Sequence, residues 1–438
     1  MRRFRSSLAS LLLHLHPRAV PAEALRFSRT LGAGGAALVL VLVAALTGAL
    51  LLAAYDPSPE RAHGAVLRLA QEVPFGAFVR NAHRWAADGA IAIAALHLLR
   101  VVFRGAYLPP RHLNWLVGLG LLATIVGAGY TGRLLPWDQL GFWSIHISSA
   151  MLEYVPFVGG PLLRLVRGGP ELGARTLSLF FGLHVFILPF TLAALLAVHF
   201  WQVRKVGGVL PEGEAAAPGA PRGALLPVAP HLVLREGAAA LVTIAAVLLL
   251  AATTEAPLLA QASTGMSPDP AKAPWFLLGV QELLVHVHPT FGAVIWPALT
   301  GLLLVALPAL ARGEPSSGAW FQSRRGARLV LRSAVAAAVV TAAAVLVDEP
   351  LRHRPPLLPL LPAWIRSGLL PLLGAGALVA FVVRLGRRRG GSRLEAIQAA
   401  FAFALVGLAV LTLTGLVARG PGMALVAPFT AGELGGTP

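Results

Sequence analysis

Two apolar stretches of this chain begin and end with histidine: HRWAADGAIAIAALH at residues 83–97 and HVFILPFTLAALLAVH at residues 184–199. The histidines lie fourteen residues apart in the first stretch and fifteen apart in the second. Four turns of an α-helix take about 14.4 residues, so each pair projects from one broad face, with offsets of about 40° and about 60°. At about 1.5 Å per residue, the two imidazoles of one helix lie about 21–22 Å apart. Each helix therefore offers one histidine near each leaflet of a membrane.

The composition of the whole chain indicates a membrane protein. The 438 residues are 56% hydrophobic and 13% charged, and the mean hydropathy is +0.73. Soluble domains are about 45–50% apolar and about 25% charged. A bilayer-spanning helix takes about 20 residues, and the predicted fold class is all-α, a polytopic membrane bundle of about nine transmembrane helices. The predicted spans are residues 32–54, 82–104, 113–133, 178–204, 236–254, 289–311, 328–347, 368–386 and 397–418.

The net charge of +17 is explained by where the basic residues lie. Most of the 36 Lys and Arg residues stand at the span ends that share a side with the N-terminus, and such an excess marks the cytoplasmic side. We predict an integral protein of the bacterial inner membrane with a cytoplasmic N-terminus, basic flanks that contact membrane lipid, and no nucleic acid partner. The Arg-rich first 20 residues favour a helix on the membrane surface over a cleaved targeting segment.

The four histidines of the two stretches are predicted to be metal ligands. If the two helices face each other, His83 meets His184 near the outer side, and His97 meets His199 near the cytoplasmic side. Ionisable groups inside a membrane are costly and usually functional, although a polar network within the bundle is the alternative. The chain has no cysteine, which excludes disulfides, thiolate-held clusters and thioether haem attachment. Bis-imidazole ligation without cysteine suits two non-covalent b haems, each held by its iron and by packing.

Two pairs of glycines have the same fourteen-residue separation as His83 and His97. Gly34 and Gly48 lie in the first predicted span, and Gly118 and Gly132 lie in the third. Glycine allows a flat macrocycle to approach a helix backbone closely, whereas ordinary small-residue helix packing is the alternative. Together with the histidines, these glycines predict a four-helix di-haem bundle over residues 1–207.

A second half follows this bundle. Residues 208–230 are rich in Gly, Ala and Pro and have no helical period, so we predict a linker there. Residues 231–438 then hold the other five predicted helices.

The first half resembles the cytochrome b subunit of Rieske/cytochrome b quinol-oxidising complexes. The resemblance covers about residues 26–207 and includes R-x-x-H and H-x-x-R around the first histidine pair. The strings GRLLPWDQ at residues 132–139 and HFWQVRK at residues 199–205 are most similar to the split, chloroplast-type branch, although here both halves lie in one chain. The second half resembles the family more weakly, because the segment aligned with the family's P-E-W-Y motif reads APWF at residues 273–276.

This resemblance implies a membrane electron-transfer subunit. It would oxidise quinol at the outer face and pass electrons through a low-potential outer haem and a high-potential inner haem to an inner quinone site, coupled to proton translocation. The quinone would be menaquinone or ubiquinone. The implied partners are a Rieske-type iron–sulfur protein, a c-type cytochrome subunit or both, in a homodimeric complex. The resemblance also adds Arg80 and Arg100, near haem propionates, and Trp115 to the cofactor-binding set.

The outer quinol site is predicted near Trp137, Trp275, Phe276 and Glu282. The family's glutamate is missing from the aligned motif, and Glu282 lies about two helical turns after Trp275, on roughly the same face. We therefore predict that Glu282 accepts the quinol proton, and an ion-paired or solvated loop carboxylate is the alternative.

Two further sets of charged residues have alternative interpretations. Arg204, Lys205 and Glu236 are candidates for an inner quinone site, and interfacial anchors are the alternative. Asp88 is predicted to pair with Arg84 at i, i+4, and a proton-path role is the alternative.

The predicted activity is that of a subunit of a quinol:electron-acceptor oxidoreductase complex. One alternative is a di-haem, quinone-reactive membrane anchor for a peripheral dehydrogenase or multihaem partner, without bifurcation of the quinol electrons. The other is a haem-free transporter or scaffold in which the histidines relay protons.

Overall fold

The computed structural model of the protein describes residues 18–206, 208, 224–352, 354 and 358–427. The predicted surface helix at the N-terminus and most of the predicted linker lie outside these residues. In chain order the α-helices are α1 (Phe27–Thr30), α2 (Ala33–Leu51), α3 (Ala62–Gln71), α4 (Gly76–Phe103), α5 (His112–Leu134), α6 (Gln139–Ala150), α7 (Gly159–Arg167), α8 (Ala174–Gly182), α9 (Leu188–Lys205), α10 (Val228–Thr253), α11 (Leu278–His286), α12 (Trp296–Leu310), α13 (Arg324–Leu351), α14 (Leu370–Arg388) and α15 (Arg393–Val417).

Nine helices of the described residues are long and apolar enough to cross a membrane. They are α2, α4, α5, the continuous pair α8 and α9, α10, α12, α13, α14 and α15. The predicted polytopic bundle is therefore confirmed. Its apolar side chains face outward over much of each span, as expected for helices that meet lipid tails instead of water.

Three of the spans contain a π turn, and each π turn stands just before a proline. A proline has no N–H and its ring displaces the carbonyl four residues earlier, so the turn before it widens to the π form. The π turns are Leu183–Ile187, Phe291–Ile295 and Ile365–Leu369, and the prolines are Pro189, Pro297 and Pro371.

The first π turn corrects the expected register of the histidines in the fourth span. His184 lies inside it. Three α turns and one π turn together take about 15 residues. The fifteen residues from His184 to His199 therefore make nearly four whole turns, and the two side chains project from the same face. The offset of about 60° expected for a regular helix is therefore wrong, because the π turn takes up the extra residue.

A short antiparallel β ribbon accompanies the helices. Strand β1 (Ala19–Pro21) pairs with β2 (Leu225–Pro227), a feature absent from the all-α prediction. Val20 and Val228 are both buried in the small cluster beside the ribbon. The ribbon therefore brings the start of α10 to the chain segment before α1, and α10 begins inside the stretch expected to be linker.

The first half is built on small side chains that let helices approach each other. Leu40 of α2 packs with Ala86 and Ala90 of α4, and Val247 and Ala251 of α10 join the same buried cluster. On the other side, α5 packs along α9. In the second half, α15 packs against α11, α13 and α14.

Candidate functional site

The histidines of α4 meet those of the span formed by α8 and α9 in two pairs. The ring centroids of His83 and His184 are 6.1 Å apart, and those of His97 and His199 are 6.4 Å apart. We call these the outer pair and the inner pair, after their predicted sides of the membrane. Two imidazoles on opposite sides of one metal ion have centroids about 6 Å apart, because each metal–nitrogen bond is about 2 Å long. Both pairs therefore have the spacing that a bis-imidazole haem needs.

The rings of the outer pair are fixed by backbone carbonyls. Nδ1 of His83 donates to the carbonyl of Ala44 at 2.9 Å, and Nδ1 of His184 donates to the carbonyl of Ala128 at 2.9 Å. Because a carbonyl only accepts, each Nδ1 carries the proton, and each Nε2 keeps its lone pair for a metal.

The rings of the inner pair lack such bonds. Among the described residues, Nδ1 of His97 and Nδ1 of His199 have no partner that meets hydrogen-bond geometry, although the Asn114 carbonyl lies beside His199. The two pairs thus have nearly the same ring spacing but differently supported ring nitrogens.

Each predicted glycine lies against one of the four histidine rings. A Cβ built on Gly132 would lie 2.6 Å from Cε1 of its outer-pair ring, and one built on Gly48 would lie 3.0 Å from the other outer-pair ring. The same distances at the inner pair are 3.3 Å for Gly34 and 3.7 Å for Gly118. A side chain at Gly132 or Gly48 would displace the ring, so glycine makes room here for the imidazole itself.

The two predicted propionate partners bind backbone carbonyls. Arg80 donates from Nη1 to Ala256 at 2.8 Å and from Nη2 to Pro257 at 2.7 Å. Arg100 is buried and donates from Nε to the carbonyl of Arg29 at 3.1 Å. Arg80 stands about one turn before His83, and Arg100 stands about one turn after His97. Their contact with haem propionates stays a prediction.

The predicted residues at the inner end lie on three helices, α5, α9 and α10. Trp115 is buried and donates its indole N–H to a backbone carbonyl of α12 at 2.8 Å. Lys205 lies over the exposed ring of Trp201, 5.2 Å from its centroid, as in an interfacial anchor. Arg204 stands in the last turn of α9, and Glu236 stands near the start of α10.

At the outer end, the segment between α10 and α11 lies across the first half. Trp137 is buried, packs on Phe142 at a centroid distance of 5.4 Å, and accepts a hydrogen bond on its carbonyl from the amide of Ala262 at 3.0 Å. Trp137 therefore fixes the position of this segment.

The next part of that segment contacts α4 and α5. The indole N–H of Trp275 donates to Oδ1 of Asp88 at 3.3 Å, and a Cβ built on Gly129 of α5 would lie 3.4 Å from the ring of Phe276. Nε of Arg84 lies 2.7 Å from Oδ2 of Asp88, which confirms the predicted ion pair. Trp275 and Phe276 are thus brought to α4 and α5, beside a carboxylate.

Glu282 is enclosed by charged groups. It has no exposed surface, and Arg419 donates to it from Nε at 3.0 and 3.1 Å and from Nη2 at 2.6 Å. His286 bridges the two carboxylates of Glu282, at 3.0 Å, and Asp348, at 2.7 Å. Burial alone would raise the pKa of Glu282, but the hydrogen bonds from His286 and Arg419 outweigh it, so its pKa is lowered. The contacts are those of the ion-paired alternative.

Sequence reasoning missed Arg419, although it is a main partner of Glu282. Arg419 follows the last spanning helix, far from Glu282 along the chain, and no local pattern connects the two residues. Its guanidinium also donates to Glu349 at 2.8 Å and to the carbonyl of Met423 at 2.9 Å. Arg419, just after the ninth span, therefore links α11 to the end of α13.

Comparison with known proteins finds relatives of the first half. A family model described as Cytochrome b/b6/petB matches residues 22–207. Cytochrome b6 of Synechocystis sp. is 40% identical over 174 residues, which is 40% of this chain and 78% of the relative. Cytochrome b6 of Prochlorococcus marinus (strain MIT 9211) is 38% identical over 174 residues, 40% of this chain and 80% of that relative.

A solved structure is similar over nearly the whole chain. It is titled Hyperthermophilic respiratory Complex III, with a TM-score of 0.67 and 24% identity. The match covers 91% of this chain and 92% of that chain. At this identity the likeness shows the fold alone, and it extends the similarity in fold to the second half.

Proposed function

The chain belongs to the cytochrome b/b6 family, and from this premise we propose that it binds two b haems and oxidises quinol at the outer membrane face. As a family member it is an electron-transfer subunit of a redox complex in a membrane, which decides against the haem-free transporter or scaffold. When bound, each haem takes up and passes on one electron at a time.

The observation that carries the proposal is the matching geometry of the outer and inner pairs. Each presents two imidazoles at the spacing of a bis-imidazole site, 6.1 Å and 6.4 Å between centroids, and glycines leave room for the rings. The two sites lie about 20 Å apart along the helices, so together they form an electron path across most of a bilayer.

The remaining parts of the proposed reaction are assigned to the two ends of the bundle. Quinol is oxidised near Trp137, Trp275 and Phe276 at the outer end. Quinone is reduced at the inner end near Arg204, Lys205 and Glu236. Protons are thereby released outside and taken up inside, in a bacterial inner membrane with a cytoplasmic N-terminus. A Rieske-type iron–sulfur protein, a c-type cytochrome or both accept the other quinol electron, in a homodimeric complex.

Glu282 as the quinol proton acceptor stays a prediction. Its contacts with Arg419 and His286 support the ion-paired alternative instead, because a buried carboxylate with a lowered pKa is a poor base. If Glu282→Gln leaves quinol oxidation and its pH profile unchanged in the intact complex, the proton role of Glu282 is dropped.

The experiment that tests the proposal is an absorption spectrum of the purified protein during redox titration. We expect two b-type haem components with separate midpoint potentials. Absence of haem would overturn the proposal as a whole. Oxidant-induced reduction of the b haems in the intact complex then separates quinol bifurcation from the di-haem anchor alternative, because a simple anchor shows no such reduction.

A further inference from the structure

We propose that the carboxylate of Asp88 removes a proton from quinol at the outer site, an inference that rests on the proposed quinol oxidation. Asp88 stands on α4, five residues beyond His83 and so about one and a half turns deeper into the bundle. It is the carboxylate that directly contacts Trp275, one of the residues expected to line the quinol site.

The two oxygens of Asp88 have different surroundings. Oδ2 is held by Nε of Arg84 at 2.7 Å, whereas Oδ1 has a long contact of 3.3 Å with the indole N–H of Trp275. The side chain keeps 19% of its surface exposed. An ionised carboxylate has about four lone-pair positions, so Oδ1 retains room to accept a proton from a ligand beside Trp275.

Two other carboxylates at this end are already committed to structural bonds. Asp138 caps α6, with Oδ1 accepting from the amide of Gly141 at 2.8 Å and Oδ2 accepting from the amide of Leu259 at 3.1 Å. Glu282 has no exposed surface and is enclosed by Arg419. The oxygens of both are held by backbone amides or by charged side chains, whereas Oδ1 of Asp88 accepts one long hydrogen bond, from Trp275 at 3.3 Å.

Two guanidinium groups lie near the carboxylate of Asp88. Arg84 lies on its own helix, and Arg133 of α5 is close enough to interact with it electrostatically. Arg84 also fixes the orientation of the carboxylate, so that Oδ1 points to the Trp275 side. A base held in place near the reacting proton is what general base catalysis requires.

The chemical step is a proton transfer followed by oxidation. A phenolic O–H bond of the quinol breaks, its proton forms an O–H bond with Asp88, and the electron pair stays on the quinol oxygen. The resulting quinol anion is easier to oxidise than neutral quinol. One electron of the anion would go to the one-electron acceptor of the partner subunit and the other to the haem that the outer pair would hold, and the second phenolic proton leaves to solvent water, so that quinone is formed.

The test compares Asp88→Asn with Asp88→Glu in the intact complex, with Glu72→Gln as the matched control at an exposed carboxylate. Decylubiquinol and menadiol serve as short-chain probes, and oxidation is measured across a pH series. We expect Asp88→Asn to lose about 100-fold in rate, the lower end of general base catalysis. The b-haem spectrum should be retained, and Asp88→Glu should recover part of the rate with a displaced pH profile.

The outcomes separate this inference from the proposed function. Wild-type rates for Asp88→Asn at every pH, with haem intact, would overturn the role of Asp88 and leave the proposed function standing. A wild-type complex that holds no b haem or oxidises neither quinol would overturn both. If Asp88→Asn does not assemble, Asp88→Glu decides, since an unchanged rate and pH profile in that variant would contradict the inference.

Discussion

The outer and inner histidine pairs have nearly the same ring spacing but different hydrogen bonds at Nδ1. Nδ1 of His83 and His184 is bonded to a carbonyl at 2.9 Å in each case, whereas among the described residues Nδ1 of His97 has no partner, and the Asn114 carbonyl beside His199 does not meet hydrogen-bond geometry. A hydrogen bond from Nδ1–H makes the opposite ring nitrogen a stronger donor to a metal. A stronger donor favours the oxidised iron, so a haem held by the outer pair should have a lower reduction potential than one held by the inner pair.

The two pairs lie on the same two spans, and they differ in which backbone carbonyls reach their rings. The carbonyls of Ala44 and Ala128 become acceptors because α2 and α5 lie close to the outer rings, where Gly48 and Gly132 remove the side chains. At the inner rings the glycine distances are longer, 3.3 and 3.7 Å, and the helix backbones approach less closely.

The largest difference between the outer and inner pairs should appear when one predicted ligand of each pair is removed in turn. We expect His184→Ala to lose the outer haem and His199→Ala to lose the inner haem, because a single imidazole holds a non-covalent haem weakly. Haem per chain should fall by half in each variant, and the redox titration should keep one component. That component should be the higher-potential one in His184→Ala and the lower-potential one in His199→Ala. Retention of both haems would refute the ligand assignment.

The second effect concerns the ion cluster at the outer end. Arg419→Gln would leave the charge of Glu282 buried without its main partner, which costs about 3–5 kcal/mol when one member of a buried pair is removed. Thermal unfolding followed by tryptophan fluorescence should show the loss, with Arg388→Gln, at an exposed position of α14, as the control. Equal stability of the two variants would show that the cluster contributes nothing.

A smaller effect should separate the glycines of the two pairs. A Cβ at Gly132 would lie 2.6 Å from its ring, whereas one at Gly118 would lie 3.7 Å from its ring. We expect Gly132→Ala to destabilise the outer site by about 1–3 kcal/mol through overpacking, and Gly118→Ala to be tolerated. Haem retention on gentle heating measures the difference, and equal retention in both variants would contradict it.

The smallest effect should come from two hydroxyl groups beside the outer rings. Thr47 Oγ1 lies 3.3 Å from Nδ1 of His83, and Thr131 Oγ1 lies 3.4 Å from Nδ1 of His184. Replacing both by valine removes weak secondary acceptors, each worth about 0.5 kcal/mol at most. In the double variant the outer potential should rise by about 40 mV at most, about 20 mV for each contact, while the inner potential stays fixed. A shift of the inner component alone would contradict the comparison.

Several parts of the fold and the site were accessible from sequence because they depend on local periodicity. The nine spans follow from apolar length, the histidine pairs from helical repeat, and the Asp88–Arg84 pair from i, i+4 spacing. The π turns have a local signal too, a proline six residues after the first residue of each, which the regular-helix estimate overlooked.

Other features could not be predicted, because they join segments that are far apart in the chain. The Glu282–Arg419 pair, the contact of Trp275 with Asp88, and the β ribbon all depend on how the second half lies against the first. Backbone acceptors such as the Ala44 carbonyl have no side-chain signature at all.

The sequence by itself determined that the chain crosses a membrane and that two helices each present two imidazoles about 20 Å apart. Those properties are set by hydrophobic length and helical repeat, which act residue by residue. Only the tertiary structure decided which ring nitrogens are bonded, which carboxylate is enclosed and which one lies beside Trp275. These depend on the approach of whole helices, where a difference of about 1 Å between backbones makes or removes a hydrogen bond.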